Sequence, residues 1–267
     1  MIRVDSVSKY FGGLKAVDHA TIEIADGSIT GLIGPNGAGK TTLFNTIAGV
    51  YEPTSGAIYL GDEDITGLKP HQLFHKGLLR TFQIAHEFSK LTVLENLMVV
   101  PAGQAGEKLL GAWFQRQRIE KEDGKIRDRA YEVIDFLNLS HVAGEPAGNL
   151  SGGQKKLLEL GRTMMVDAKV VLLDEVGAGV NRTLLKDIGD AILRLNAERG
   201  YTFCMIEHDM EFISRLCDPV IVMAEGTVLA QGTAEQVKSN EQVIEAYLGR
   251  GLKNRQSTLD TNAGTTT

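Results

Sequence analysis

Short segments in which apolar and polar residues alternate are separated along the chain by segments with a helical repeat. Residues 2–7 and 20–24 alternate with the two-residue period of a half-buried strand. Residues 29–33 are apolar and lead into a glycine-rich turn, and residues 41–50 then have the pattern of a helix. A further short strand is predicted at residues 57–60. The pattern indicates mixed α/β structure in this part of the chain.

Helical character dominates the middle of the chain, from about residue 93 to residue 161. Within it, the run RQRIEKEDGKIRDR at residues 116–129 is typical of a solvated helix face. Strand-like segments return at residues 169–173, 201–206 and 219–223, with helical stretches between them. The order of these segments predicts an α/β core of the βαβ type that is interrupted by a helical insertion.

Composition places the chain among globular proteins. It has 267 residues, of which 43% are hydrophobic and 23% are charged, enough to enclose a full core. The formal net charge is −6 and no long basic run occurs, so nothing indicates a nucleic-acid partner. No stretch approaches 18 uninterrupted apolar residues, and the first residues lack the pattern of a signal peptide. We therefore expect neither a membrane span nor a cleaved leader.

Two further features concern the cysteines and the last residues. Cys204 and Cys217 lie in apolar stretches, so reduced, packed thiols are expected rather than a disulfide. Residues 252–267, which end in TLDTNAGTTT, are polar and short of large apolar side chains. Such a composition cannot bury enough apolar surface to fold, and this tail is expected to be disordered.

The glycine-rich turn GPNGAGKT, residues 34–41, fits the pattern G-x-x-x-x-G-K-[ST] of a phosphate-binding loop. Glycines let the backbone turn tightly and bring N–H groups against phosphate oxygens, and the next helix points its positive end at the same anion. Lys40 would then reach the β- and γ-phosphates, and the Thr41 hydroxyl would bind Mg²⁺. A chance glycine-rich turn is the alternative, and the apolar strand before it and the helix after it weigh against that.

Two adjacent carboxylates, Asp174 and Glu175, end the apolar run VVLLDE. Acids beside a buried strand are costly unless something pairs with them. Neighbouring side chains on a strand point to opposite faces, so we expect different roles for the two acids. Beside a phosphate loop, Asp174 would be a Mg²⁺ ligand and Glu175 would polarise the attacking water. Without that loop, two solvated acids at a strand end would be the simpler interpretation.

A second glycine-rich turn, LSGGQ at residues 150–154, stands directly before a helical stretch. A Ser–Gly–Gly turn at a helix start is a second candidate anion site, far along the chain from the first. A single chain rarely needs two sites for one nucleotide. The motif therefore predicts two chains arranged head to tail, with the LSGGQ of each closing over the nucleotide held by the other.

With GPNGAGKT and VVLLDE, the LSGGQ motif makes the chain resemble the ATP-binding subunits of ABC transporters over about residues 2–249. The resemblance implies a P-loop NTPase fold, with a RecA-like α/β core and an antiparallel β portion near the N-terminus. It also implies a helical subdomain over about residues 84–161 that carries LSGGQ, within one ATPase domain over residues 1–251. The activity implied is hydrolysis of ATP with Mg²⁺ as cofactor.

The resemblance also implies roles residue by residue. Phe11 matches the aromatic residue that stacks on adenine, and Gln83 matches the glutamine that senses Mg²⁺ and the membrane partner. His208 matches the switch histidine that contacts the γ-phosphate, and AGVN at residues 178–181 matches a loop that crosses the dimer interface. Without the resemblance, Phe11 and His208 could equally be ordinary core or satisfied residues.

Three sets of site residues follow from the resemblance. The catalytic set is Lys40, Glu175 and His208, and the metal set is Thr41, Gln83 and Asp174. The nucleotide-binding set is Phe11, Val17, Gly34, Pro35, Asn36, Gly37, Ala38, Gly39, Lys40, Thr41, Thr42 and Gln83, with Ser151, Gly152, Gly153 and Gln154 acting across the dimer.

One residue departs from the family pattern, which usually has proline directly after the catalytic glutamate. Here Val176 follows Glu175, and Gly177 comes next. Both acids are intact, so hydrolysis is expected to be retained. The backbone of the interface loop is expected to be more mobile, with a weaker coupling through it.

Several segments resemble the ATPases of branched-chain amino acid importers in particular, as does an extra helical stretch between about residues 101 and 130. This resemblance implies transmembrane permease subunits as partners, together with a second ATPase subunit that is either identical or a paralogue. A periplasmic or extracellular solute-binding protein would act indirectly, and the chain would lie on the cytoplasmic face of the membrane. The segments are GGLKAV (12–17), RTFQ (80–83), LTVLENLMV (91–99), IEHDM (206–210) and VIEAYLG (243–249).

Two alternatives share the same ATPase core. Related ATPases serve importers of urea or amides, and others serve export of lipopolysaccharide. A third alternative is a soluble ABC-type ATP switch protein of translation or DNA repair. Such proteins usually carry two nucleotide domains in one chain or a long coiled-coil insert, and this sequence has one phosphate loop and no sustained heptads.

Overall fold

The computed structural model describes residues 1–81, 87–102, 116–166 and 168–248. They fall into two compact units, one of Met1–His75 with the chain from Thr202 onwards and one of Lys76–Tyr201. The strands are β1 (Ile2–Phe11), β2 (Leu14–Ile24), β3 (Ile29–Ile33), β4 (Ser55–Leu60), β5 (Glu63–Asp64), β6 (Leu78–Arg80), β7 (Val170–Asp174), β8 (Thr202–Ile206), β9 (Val220–Ala224) and β10 (Thr227–Gly232). The helices are α1 (Lys40–Ile47), α2 (Pro70–His75), α3 (Val93–Met98), α4 (Arg116–Phe136), α5 (Gly152–Met164), α6 (Arg182–Arg199), α7 (Met210–Leu216), α8 (Ala234–Ser239) and α9 (241–248).

An antiparallel sheet opens the first unit, with strands in the order β2-β1-β4-β5. Val4 pairs with Ile22 on one side and with Ile58 on the other, and all three side chains are buried. Strands β1 and β2 are longer than the alternating pattern predicts. A tight turn at Gly12 and Gly13 joins the two strands into a hairpin. Their backbones therefore pair as far as Phe11 and Leu14, although no face of the strands is buried there.

Parallel strands form the core that carries the phosphate loop. Strand β3 lies between β8 and β9 and is parallel to both, and β10 returns antiparallel along β9. All residues of β3 and β8 are buried, which explains their continuous apolar sequences. A Cβ on Gly31 would lie 3.1 Å from that of Cys217, so a side chain there would require its neighbours to shift by a few tenths of an ångström. The prediction of a strand at residues 29–33 is confirmed.

The second unit combines a short parallel strand pair with helices. Strand β6 pairs with β7, and Leu79 lies opposite Val171. Helices α4 and α5 approach closely at Gly161, where an added Cβ would lie 2.7 Å from Leu137 Cδ1 and 3.0 Å from Val133 Cγ1. The predicted charge run at residues 116–129 lies in α4, as expected for a helix.

Some predictions fall outside the residues that the structure describes. They are the tail at residues 252–267, part of the extra helical stretch between residues 101 and 130, and Gln83. Within the described ranges, no helix has the length and apolar character that crossing a bilayer requires.

We expect both thiols to be unreactive in the folded protein. Cys204 and Cys217 are free and buried, as predicted, and burial raises the pKa of Cys217 to about 12 and that of Cys204 still further. Because the thiolate is the reactive form, a disulfide reagent at pH 8 should label neither thiol in the native state. The same protein in guanidinium chloride is the control and should release two equivalents. Rapid labelling before unfolding would contradict the buried positions.

Candidate active site

The turn at residues 34–41 joins β3 to α1 and is shaped by close backbone approaches. Gly34 and Gly39 have φ angles of 150° and 96°. A Cβ on Gly34 would lie 2.1 Å from the carbonyl oxygen of Met223, and one on Gly39 would lie 2.3 Å from that of Ala16. Neither position can hold a side chain, so the backbone itself lines this turn. Such a turn leaves the N–H groups as the groups that can meet an anion.

Lys40 begins α1, and its ammonium group curls back over the turn. Its Nζ donates hydrogen bonds to the carbonyl oxygens of Gly34 at 2.8 Å and Pro35 at 3.1 Å. No side chain among the described residues caps α1, whose N-cap residue is Gly39. A lysine cation and an uncapped helix start therefore share one turn, which fits the phosphates of a nucleotide.

The other predicted residues of the loop differ in exposure. Asn36, Gly37 and Thr41 are exposed, Ala38 is buried, and Pro35 and Thr42 are half-buried. Thr41, an exposed residue on the first turn of α1, is accessible to a metal ion. The assignment of these residues to nucleotide and metal stays a prediction.

Phe11 lies at the end of β1 with 42% of its surface exposed, so it is not a core residue. Its ring meets the edge of Tyr51 at a centroid distance of 5.3 Å, and Lys9 Nζ lies 5.2 Å from the ring. An exposed ring face beside a cation suits stacking on a base. Val17, by contrast, is fully buried and offers no surface to a nucleotide in this structure. Both assignments stay predictions.

Asp174 and Glu175 differ in backbone conformation as well as in position. Asp174 is the last residue of β7 and is buried. Glu175 lies just outside the strand with a φ of 49°, a left-handed conformation that is costly for a residue with a side chain. The alternation of a strand therefore does not set the direction of Glu175, contrary to our sequence argument. Strained residues of this kind cluster at functional sites.

Arg80, the first residue of the RTFQ segment, pairs with Asp174. Its Nη2 donates to Asp174 Oδ2 at 2.7 Å, and the two side chains are only 13% and 6% exposed. The sequence gives no direct signal for this pair, because β6 and β7 are far apart along the chain.

The described residues offer few side chains as ligands for a metal ion. Among the described residues, no group of three or more His, Cys, Asp or Glu side chains is arranged to hold a metal ion. Mg²⁺ commonly takes one or two protein oxygens and completes its shell with water and phosphate oxygens. Asp174, a buried carboxylate at the end of β7, can supply one such protein oxygen.

His208 follows β8 and is exposed, whereas the preceding Glu207 is buried. Asp209 caps α7 through hydrogen bonds that its carboxylate accepts from the N–H groups of Glu211 and Phe212. The IEHDM segment therefore presents His208 at a strand-to-helix turn. Gln83 lies outside the described residues, so its place relative to the other site residues stays a prediction.

Ser151 and Gln154 close the LSGGQ turn on itself. Ser151 caps α5, and Gln154 Oε1 accepts hydrogen bonds from Ser151 N at 2.9 Å and from Ser151 Oγ at 3.0 Å. Gln154 Nε2 lies 3.3 Å from His141 Nε2, and an amide nitrogen can only donate. His141 thus accepts from the glutamine and orients its amide, a contact that no sequence spacing indicated.

The loop at residues 178–181 leads into α6 through turns. Asn181 caps α6 by accepting a hydrogen bond from Leu184 N at 3.0 Å. Leu184 in turn packs on the LSGGQ motif, because a Cβ on Gly153 would lie 1.7 Å from Leu184 Cδ2. The two predicted interface segments, AGVN and LSGGQ, are therefore held together within the second unit.

Tyr247 on α9 is a further residue near the phosphate loop. Partial burial raises the pKa of its hydroxyl, although 43% of the residue is exposed, and a hydrogen bond from the backbone of Gly34 acts against that rise. The VIEAYLG segment resembles the branched-chain importer ATPases in sequence. Through Tyr247 it reaches Gly34, the first residue of the phosphate loop.

We expect Gly153→Ala to destabilise the protein and the neighbouring Gly152→Ala not to. The new methyl at residue 153 would overlap Leu184, an overpacking that typically costs about 1–3 kcal/mol. At residue 152 the nearest atom to a new Cβ is the Gly179 oxygen at 4.0 Å, so alanine fits there and favours the helix. Equilibrium unfolding in urea measures both variants. Equal stability of the two would contradict the close contact between α5 and Leu184.

Comparison with known proteins places these motifs in a family. The family model described as ABC transporter matches residues 17–178. A second model, described as Branched-chain amino acid ATP-binding cassette transporter, matches residues 227–253. The predicted antiparallel portion, α/β core and LSGGQ helix are all present in the structure.

Curated relatives cover nearly all of the chain. It is 40% identical to the "Probable branched-chain amino acid transport ATP-binding protein LivG" of Archaeoglobus fulgidus, over 93% of this chain and 95% of the relative. It is 36% identical to the "High-affinity branched-chain amino acid transport ATP-binding protein BraF" of Pseudomonas aeruginosa, over 93% and 98%. The Escherichia coli protein of the same description, LivG, is 37% identical over 93% and 98%.

Solved structures agree with the sequence matches. A nucleotide-free ATP-binding cassette from an ABC transporter superposes with a TM-score of 0.80 at 38% identity, covering 92% of this chain and 98% of that chain. The ADP conformation of an ATP-binding cassette gives the same TM-score and identity, over 93% and 98%. The predictions of a P-loop NTPase fold and of an ATPase are confirmed. The chain belongs to the ABC transporter family, in which it is an ATP-binding cassette.

Proposed function

We propose that this ATPase energises an importer for branched-chain amino acids. The observation that carries the proposal is the match of residues 227–253 to the branched-chain cassette model, beyond the general ABC match. The names of the curated relatives support the same substrate class. Within the described structure, α9 lies in this region and brings Tyr247 to the phosphate loop.

ATP is the substrate, and the loop between β3 and α1 is its phosphate site in this proposal. Backbone N–H groups of the loop and the start of α1 stabilise the phosphate charge, and Lys40 adds a cation over the same turn. Phe11 stacks on the adenine with its exposed ring. Thr41, Asp174 and Gln83 are the residues that would hold Mg²⁺, which offsets phosphate charge when bound.

Hydrolysis requires a base for the attacking water, and Glu175 has that role in the proposal. Its carboxylate accepts a proton as the water oxygen attacks the γ-phosphorus and the bond to the ADP oxygen breaks. Glu175 lies directly after the end of β7 and has a left-handed backbone conformation. His208 is proposed to contact the γ-phosphate and to stabilise the charge on it.

The LSGGQ turn serves a second subunit in this proposal, either an identical chain or a paralogue. Ser151, Gly152, Gly153 and Gln154 face the nucleotide held by the partner. The capping contacts among Ser151, Gln154 and His141 keep the turn formed before the partner arrives. A preformed turn lowers the entropy cost of pairing.

Permease subunits are the proposed membrane partners, with a solute-binding protein acting through them and this subunit on the cytoplasmic face of the membrane. The segment that follows Gln83 supports a link to the LSGGQ helix. Glu87 pairs with Lys155 at 2.7 Å, and the Arg162 guanidinium lies 5.5 Å from the ring of Phe88, which is half exposed. Force on this segment would therefore reach α5 directly.

Glu175→Gln should bind ATP but lose turnover, because the amide keeps the shape of the side chain and cannot accept the proton. We expect the ATPase rate to fall by at least about 100-fold, the scale of general-base catalysis. Size-exclusion chromatography with ATP should show a lasting dimer. Glu241→Gln, at an exposed position on α9, is the matched control and should keep the parent rate. Hydrolysis by Glu175→Gln at the parent rate would exclude Glu175 as the base.

The transport proposal is tested by uptake of labelled solutes in cells with and without the gene. The panel is leucine, isoleucine, valine, an acidic amino acid and urea. We expect loss of the three branched-chain signals alone, restored by the wild-type gene and not by the Glu175→Gln variant. Loss of urea uptake instead would assign the protein to a urea importer. Unchanged uptake of every solute, with the protein expressed, would overturn the proposal and favour lipid export.

A further inference from the structure

The ion pair between Arg80 and Asp174 joins the ends of two parallel strands. Arg80 is the last residue of β6 and lies opposite Leu172 of β7, so its side chain can reach Asp174 at the end of β7. Beyond it, Thr81 N donates to the Leu172 oxygen at 2.9 Å, which extends the strand contact by one residue. Pairing with β7 thus fixes the backbone on both sides of Arg80, and with it the Cα atom from which the guanidinium side chain extends.

Burial makes this pair electrostatically strong. At 2.7 Å, with side chains 13% and 6% exposed, neither charge is well solvated. Removing one partner of a buried ion pair is strongly destabilising, so the cation beside Asp174 matters to the stability of this site. In the structure described here, that cation is Arg80.

A divalent metal ion at Asp174 would compete with the guanidinium for the same carboxylate. Both interact with its oxygens, and the two cations repel each other at short range. Metal that arrives together with phosphate oxygens brings additional negative ligands that offset this repulsion. Metal alone brings none, so the guanidinium opposes it most when nucleotide is absent.

We propose that Arg80 is the resident counter-ion of Asp174 and prevents this carboxylate from binding divalent metal before nucleotide arrives. The inference rests on the proposed assignment of Asp174 as a metal ligand. Arg80 is in this sense a positioning residue. It holds the carboxylate in place through the 2.7 Å contact between Nη2 and Oδ2, and it makes metal binding conditional on nucleotide. Three residues further along the chain lies Gln83, the other side chain predicted to sense the metal.

The test is binding of Mn²⁺ to the full chain without nucleotide, followed by electron paramagnetic resonance. Wild-type protein should bind no Mn²⁺ at micromolar concentration. Arg80→Gln keeps a hydrogen-bond donor but removes the charge, and we expect it to bind Mn²⁺ at least about tenfold more tightly, given the strength of a close like-charge repulsion. Arg80→Lys keeps the charge and should exclude Mn²⁺ as the wild type does.

A second readout is thermal unfolding with EDTA or with Mg²⁺, again without nucleotide. The melting temperature of the wild type should not respond to Mg²⁺. Arg80→Gln should melt several degrees lower in EDTA, because Asp174 has lost its counter-ion, and should recover in Mg²⁺. A purely structural role for Arg80 would lower the melting temperature without any recovery by metal.

The double variant Arg80→Gln/Asp174→Asn separates this inference from the proposed function. It should lose the nucleotide-free Mn²⁺ binding. If it still binds Mn²⁺, Asp174 is not the ligand, and the metal assignment fails as well. If Arg80→Gln binds no Mn²⁺ alone while wild-type protein with ATP binds it through Asp174, only the counter-ion role is overturned. Nucleotide-free Mn²⁺ binding by wild-type protein would overturn that role without any variant.

Discussion

Close backbone packing around the phosphate loop is the constraint on which the first unit depends. Gly34 and Gly39 lie against the carbonyl groups of Met223 and Ala16, at positions where no side chain fits. Gly226 N also donates to the Ala38 oxygen at 3.1 Å. The loop is thus fixed by β2 and by the β9–β10 turn, two segments distant in sequence. Its shape is a property of the folded unit and not of GPNGAGKT alone.

The parts of the site that depend on local sequence were predictable, and those that depend on distant pairing were not. The boundaries of β3 and the start of α1 near Lys40 follow from an apolar run and a motif. The pairing of Arg80 with Asp174 depends on strands that neighbour each other only in three dimensions. His141 likewise meets Gln154 through packing, and no pattern in a single sequence marks it. Strands β1 and β2 are longer than their alternating apolar pattern predicts, because backbone pairing does not require a buried face.

Val176 has a structural counterpart in the backbone of the residue before it. A residue that precedes proline is driven towards extended conformations. Glu175 has a φ of 49°, and Val176 is buried beside it. Because Val176 stands in place of the usual proline, the backbone of Glu175, the proposed base, is not restricted to extended conformations. Valine adds an apolar side chain that is buried at the start of the turn, and the greater mobility expected of this loop stays a prediction.

The contact between Gly31 and Cys217 affects how inhibition by thiol reagents should be interpreted. Cys217 Sγ lies 3.3 Å from the position that a Cβ on Gly31 would occupy. Gly31 is in β3, the strand that leads into the phosphate loop. An alkyl group or mercury atom on this sulfur would have no space beside β3 and would push this strand away from β8 and β9. Loss of activity after such treatment would therefore report that the core had opened, and would not identify a cysteine at the site of chemistry.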